Sequence, residues 1–312
     1  MSENLIQVEN LTKHYGSVRA VDGISFDVKS SQVVGFLGPN GAGKSTTMKI
    51  LSCYIGPTGG RARVAGFDVL EKPLEARRRI GYLPENNPIY DDMTALEYLE
   101  FVAAVRDIPS ATRAARLSEI STLCGLEGVL GKPVGELSKG FRQRLGLAQA
   151  MAHDPDILLM DEPTSGLDPN QIVEIRSLIR EIGQRKTVIL STHILPEVQA
   201  TCDRAIIIHE GKIVADGTLE ELRRREQGNR YRVVVEGPTP DEARDRVRSL
   251  EGVLGIEASS SDGACTLEVT ASAEGDLRRP IFRLAVDRGW TLLELRRDAA
   301  TLEDVFRKLT RE

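Results

Sequence analysis

The sequence predicts an α/β domain followed by a small α+β domain, and three observations carry that reading. Short apolar runs recur at Val33–Leu37, Ile157–Met160, Val188–Leu190 and Ala205–Ile208, as in strands buried within a sheet. Val33–Leu37 runs into a glycine-rich turn and then into a helical segment, Lys44–Leu51, the order that opens an α/β nucleotide fold. Beyond Gly228-Asn229 the pattern changes to β-α-β-β-α-β.

Taken in order, residues 5–8 and 24–28 alternate apolar and polar, as half-buried strands do. Thr94-Ala95-Leu96-Glu97 is a capping-box pattern, and Leu96, Leu99, Val102 and Val105 continue it, so a helix is expected over 94–106. Further helices are expected over 112–124 and after Ser138, the latter turning Leu145, Ala148 and Met151 to the core. After Asp168-Pro169, Ile172, Ile175, Leu178, Ile179 and Ile182 share one helical face. Leu219–Arg225 begins as a helix and becomes basic. In the second domain, strands are expected at Tyr231–Glu236, Val253–Ala258, Ala264–Thr270 and Thr291–Arg296. Helices are expected at Pro240–Leu250 and Asp276–Arg288, a turn at Asp262-Gly263, and a last helix over 301–310.

At 312 residues, 41% apolar and 28% charged, the chain has the make-up of an ordinary globular protein of about two domains. A net charge of −5 gives no support for sequence-independent nucleic-acid binding, so no nucleic acid is expected as a partner. Cys53, Cys124, Cys202 and Cys265 form no C-x-x-C pair and have no histidine cluster beside them, so free thiols are expected. Met1–Glu9 lacks the apolar core of a signal peptide, and no window is apolar enough to span a membrane. Any membrane role then falls to a partner.

Gly38-Pro39-Asn40-Gly41-Ala42-Gly43-Lys44-Ser45-Thr46 fits G-x-x-x-x-G-K-[ST]. Its glycines let the backbone wrap an anion, with N–H groups and a helix N-terminus facing phosphates. Lys44 is placed to reach the β- and γ-phosphates and Ser45 to ligate Mg²⁺. Downstream, the strand Ile157–Met160 ends in Asp161-Glu162. Neighbouring parallel strands end at one crevice, which brings Asp161 near Mg²⁺ and Glu162 to where it can orient or deprotonate an attacking water.

Leu137-Ser138-Lys139-Gly140-Phe141 precedes a helix that opens with Arg142-Gln143-Arg144. With Tyr15, the phosphate loop, Gly81-Tyr82-Leu83-Pro84-Glu85, Ile157–Glu162, Ser165-Gly166-Leu167-Asp168 and Ser191-Thr192-His193, it makes an ordered set. That set, spanning about residues 5–225, resembles the nucleotide-binding subunit of ABC transporters. The resemblance implies a P-loop NTPase cassette over 1–227, with a helical subdomain at about 86–155, while the β-α-β-β-α-β order marks an accessory ferredoxin-like domain over 228–312. It also implies ATP and Mg²⁺ as cofactors and ATP hydrolysis as the activity. Tyr15 would stack on adenine, and His193 would contact the γ-phosphate. Ser138 and Gly140 would touch ATP held by a second copy, with Asp168 at the seam of that homodimer. Glu85, where the family usually has glutamine, would link Mg²⁺ and water to the membrane partner. Lys139 and Phe141 also depart from the family's signature, at its second glycine and its last glutamine.

Gly81–Glu85, the Lys-Gly-Phe signature, the added C-terminal domain and the tail Thr301–Phe306 are similar to the type-2 exporter branch, nearest its gliding-motility type. That likeness implies a separate multi-pass permease docking near residues 86–101, and a cytoplasmic protein peripheral on the inner face of the cell membrane. The alternative is a soluble ABC ATPase acting on a macromolecular complex such as ribosomes or DNA. One cassette and no sustained heptads speak against it. A kinase on the same scaffold gives Leu137–Phe141 no purpose.

Overall fold

The computed structural model describes residues 4–225, 229–261, 263–272 and 276–298, together with 303 and 306. These form two compact units that divide between Leu219 and Glu220.

The first unit holds two sheets. In the six-stranded sheet the order is Lys212–Thr218, Arg204–His209, Val33–Leu37, Thr187–Thr192, Ile157–Asp161 and Ile80–Leu83. All neighbours are parallel except the first pair. Every residue of Val33–Leu37, Ile157–Asp161 and Thr187–Thr192 is buried, which explains their continuous apolar character. The second sheet is antiparallel, ordered Val18–Lys29, Asn4–Tyr15, Gly59–Val64 and Phe67–Asp68. Its inward residues Ile6, Val8, Ile24 and Phe26 share one core with Phe36 and Ile189 of the first sheet. Met48, Ile50 and Leu51 of the helix Lys44–Leu51 complete that core, so the helix that follows the phosphate loop is fixed between two sheets.

Helices Ala95–Val105, Ser110–Leu123 and Lys139–Met151 form the helical part of this unit. Thr94 and Glu97 make the expected capping box in both directions. Leu145, Ala148 and Met151 are buried, as their spacing predicts. Gly81 sets how closely Lys139–Met151 approaches the sheet: a Cβ there would lie 2.2 Å from the Ala150 carbonyl oxygen and 2.5 Å from Leu158 Cδ2.

Six elements of this unit had no clear sequence signal. Gly59–Val64 opens with two glycines, and Phe67–Asp68 has two residues. Pro73–Arg78 and Leu195–Thr201 are helices of six and seven residues, too short to establish a period. Ile80–Leu83 and Lys212–Thr218 carry Gly81 and Gly217, which interrupt their apolar pattern.

The second unit is one antiparallel sheet ordered Val253–Ser261, Ala264–Ala271, Asn229–Glu236 and Thr291–Asp298. Two helices, Pro240–Arg248 and Arg278–Asp287, bury Ala243, Val247, Ile281 and Ala285. Tyr231, Val233, Val235, Leu267 and Val269 face them. The buried Tyr231 hydroxyl accepts the Leu277 N–H at 3.0 Å. Asp262 of the expected turn, Gly228 of the expected boundary and most of the expected helix 301–310 lie outside the described residues. All four cysteines are buried free thiols.

Gly81→Ala is expected to destabilise the first unit by about 1–3 kcal/mol, because neither contacting neighbour is the end of a long flexible chain; urea denaturation reads this directly. His153 gives a pH dependence. Burial first, and the Arg106 charge second, push its pKa from an ordinary 6.5 down to about 4. The unfolded chain therefore binds the proton first, so stability is full above pH 6.5 and falls as pH drops toward 4. His153→Gln is expected to flatten that part of the curve of denaturation midpoint against pH.

Candidate functional site

The strand Val33–Leu37 delivers the chain to a loop whose glycines are sterically required. A Cβ on Gly38 would lie 2.3 Å from the Ile208 carbonyl oxygen, and one on Gly43 2.4 Å from that of Ala20. Gly43 also has φ +107, which L side chains rarely adopt. Lys44 folds back over the loop and is 5% exposed. Its ammonium donates to the Gly38 and Pro39 carbonyls at 2.8 and 3.1 Å. No side chain caps the helix that starts at Lys44, which leaves its first N–H groups available to an anion.

Asp161 and Glu162 emerge at the end of their buried strand, 2% and 7% exposed. Asp161 Oδ1 accepts the Ser45 hydroxyl at 3.0 Å and a short hydrogen bond from the Ser191 hydroxyl. Glu162 has φ +49, a strained backbone for a side chain of this kind, costing about 1–3 kcal/mol. The strain is held by the next strand, since the Glu162 N–H donates to both the Ser191 carbonyl and its hydroxyl, at 3.1 and 3.2 Å. Thus oriented, the Glu162 carboxylate lies between Lys44 Nζ, 3.4 Å from Oε1, and His193 Nδ1, 3.0 Å from Oε2. Ser191 stands in the Ser191-Thr192-His193 motif of the sequence, but no role for its hydroxyl was read from it. A buried serine beside two acids leaves no mark in composition or period.

A cavity of about 580 Å³ gathers these groups. Of the expected residues, Tyr15, Asn40, Gly41, Gly43, Lys44, Ser45, Thr46, Glu85, Glu162 and His193 line it, and Ala20 and Ser165 join them. Gly38, Pro39 and Ala42 form the loop behind, and Asp161 sits beneath Ser45. Tyr15 is half exposed at one side, with Lys13 Nζ 5.4 Å from its ring centroid. A second cavity, about 540 Å³, is lined by Tyr82, Asn87, Tyr98, Arg106 and Gln149 among others. Ser45 and Glu85 line both.

Ser138, Gly140 and Asp168 do not line the first cavity. Ser138 is exposed and caps the helix Lys139–Met151 through the Phe141 N–H. Asp168 is exposed and caps Pro169–Gly183, accepting from the Asn170 and Gln171 N–H groups at 3.0 Å. Gly140 is buried against the Gln171 side chain.

One cavity thus combines an anion-binding loop, a buried lysine, a hydroxyl–carboxylate pair and a carboxylate–imidazole pair. That set can hold a polyphosphate and activate a water beside it. The ABC transporter family model matches residues 21–165. An uncharacterized ABC transporter ATP-binding protein of Bacillus subtilis, YxlF, is 33% identical over 98% of this chain and 99% of its own. The Nod factor export ATP-binding protein I of Paraburkholderia xenovorans is 34% identical over 99% and 98%. The probable multidrug ABC transporter ATP-binding protein YbhF of Escherichia coli is 37% identical over 71% of this chain, which spans 38% of that longer protein. Among solved structures, the dimeric post-hydrolysis ATP-binding cassette MJ0796, bound to ADP and Pi, superposes with TM-score 0.63 at 26% identity, covering 69% of this chain and 98% of that one. Clostridium perfringens cbiO1, part of the transporter complex cbiONQ, gives TM-score 0.64 at 26% identity, covering 72% and 94%. Fold, site and relatives agree: the chain belongs to the ABC transporter family, as an ATP-binding and ATP-hydrolysing subunit.

Proposed function

We propose that this subunit powers an exporter, closing as a homodimer over two ATP molecules and driving a separate membrane permease. The observation that carries the reading is the Glu162 carboxylate held between Lys44 and His193 inside the phosphate-loop cavity. In this reading Lys44 turns from Glu162 to the β- and γ-phosphates, and Tyr15 stacks on adenine. Glu162 takes a proton from the attacking water, while His193 fixes the carboxylate and contacts the γ-phosphate.

Mg²⁺ fits the donors present. Ser45 Oγ and Asp161 Oδ1 are hard oxygens 3.0 Å apart. Asp161 and Glu162 put two buried carboxylates against one buried ammonium, Lys44. Among the described residues no three His, Cys, Asp or Glu side chains form a metal cage. A cation held by one carboxylate, one hydroxyl and substrate phosphates is the usual magnesium arrangement. Bound there, it would neutralise phosphate charge, and Glu85 would reach it from the wall of both cavities.

Dimer closure is supported by the exposed Ser138 and Asp168, which are free to face another copy, and by the dimeric state of MJ0796. Ser138, Gly140 and a helix N-terminus would complete the phosphate site of that copy. A permease fits the second cavity and its rim, where Tyr90 packs edge-on against Tyr98 and Phe101 and Phe101 stays 41% exposed. No helix among the described residues is long and apolar enough to cross a membrane, and the cytoplasmic, peripheral placement follows from the family. Export follows the Nod factor export relative. We read residues 1–227 as the cassette and 228–312 as an accessory domain; its strand order and two helices support a ferredoxin-like fold.

Glu162→Gln is expected to lower ATP turnover by about 10²–10⁴ and to accumulate an ATP-bound dimer in size-exclusion chromatography; monomers throughout would refute the closure. Lys44→Ala is expected to weaken ATP binding at least about tenfold in a calorimetric titration, since it removes the cation nearest the phosphates. Unchanged affinity would remove the loop from the reading.

A further inference from the structure

One buried acid has no part in the chemistry above. Glu197, 2% exposed, lies on the short helix Leu195–Thr201. Its carboxylate accepts a short hydrogen bond from the Thr164 hydroxyl and another, at 2.6 Å, from the Thr192 hydroxyl. The Arg176 guanidinium stands 3.9 Å away, a charge neighbour beyond hydrogen-bond range. Burying a carboxylate is costly, and two hydroxyl donors with one distant cation compensate it only in part. A neutral side chain of this size would fill the space at less cost.

The two donors flank different parts of the ATP site. Thr192 directly precedes His193, and its hydroxyl also accepts the Ile194 N–H at 3.0 Å. The arc Thr192–His193–Ile194 is therefore closed on itself and anchored to Glu197. Thr164 lies in the loop running from Glu162 to Asp168; Ser165 N–H donates to the Glu162 carbonyl at 3.0 Å and Leu167 N–H to the Thr164 carbonyl at 3.2 Å. Gln143, on the helix capped by Ser138, holds the same loop through the Pro163 carbonyl at 2.8 Å. The platform beneath is tight. A Cβ on Gly35 of the central strand would lie 2.8 Å from Val198 Cγ1, so the helix carrying Glu197 is seated directly on the sheet.

We infer that Glu197 is a positioning residue that ties His193 to the loop Thr164–Asp168, so that the phosphate contact and the exposed loop move as one body. The inference rests on the functional reading above and assigns it a coupling element. When His193 engages phosphate, the displacement passes through Thr192, the Glu197 carboxylate and Thr164 to Ser165 and Asp168. Glutamine keeps the shape but removes the charge and one acceptor oxygen, so one threonine can be held only with its hydrogen bond reversed and both arms lose their charge-assisted strength.

The test measures kcat, KM for ATP, ATP binding and the cooperativity of turnover for Glu197→Gln in the full chain. Loss of alignment at the reacting atoms is expected to lower kcat by about tenfold to a hundredfold, with binding changed less than about twofold and cooperativity reduced. A carboxylate that only stabilises the fold would lower the denaturation midpoint and leave kcat and cooperativity of the folded protein unchanged; that result overturns the inference. Should Glu197→Gln not fold, Thr164→Val, Thr192→Val and the double variant decide it. A shared tie predicts that the double loses no more kcat than the worse single, whereas independent, multiplying losses overturn it. Glu162→Gln runs beside them as a control. If it hydrolyses ATP normally, the functional reading fails; if it is arrested while Glu197→Gln matches wild type, only the tie fails.

Discussion

The Glu162 carboxylate, held between an ammonium and an imidazole on a left-handed backbone, is the constraint around which the rest of the first unit is arranged. The fixing partners come from two elements, a helix and the strand Thr187–Thr192 with its end. Lys44 comes from the helix after the phosphate loop, His193 from the end of one strand, and the Ser191 clamps from that strand itself. The parallel sheet brings these ends together because Val33–Leu37, Ile157–Asp161 and Thr187–Thr192 run side by side in one direction. Burial makes the arrangement demanding: a buried ion pair that loses one member leaves an uncompensated charge. The site can therefore hold a strained residue only where the surrounding contacts are complete.

Much of this was legible in the chain. The apolar runs marked the parallel strands because those strands are buried on both faces. The capping pattern at Thr94 marked a helix start because the reciprocal hydrogen bonds it implies do form. The phosphate loop and the Asp161-Glu162 pair were visible because their chemistry demands particular residue types in a fixed order. What stayed hidden depends on tertiary neighbours. Ser191 acquires its role only when two strands align, and the fit of Gly81 against Ala150 depends on a helix nearly seventy residues away. Short elements such as Pro73–Arg78 were hidden for a different reason, since fewer than two helical turns carry no readable period.

The departures from the family's usual residues have local settings. Lys139 extends along its own chain's Gly166, where an added Cβ would come within 2.0 Å of its ammonium. The Lys139 ammonium therefore lies over the loop that carries Asp168. Phe141 stays partly exposed, on the first turn of the helix that Ser138 caps.

Glu85 and Ser45 belong to the walls of two adjoining cavities at once. Side chains shared by two walls have no independent faces: a shift of Glu85 or Ser45 on the Tyr82 and Tyr98 side also moves wall atoms of the phosphate-loop side, and the reverse holds equally.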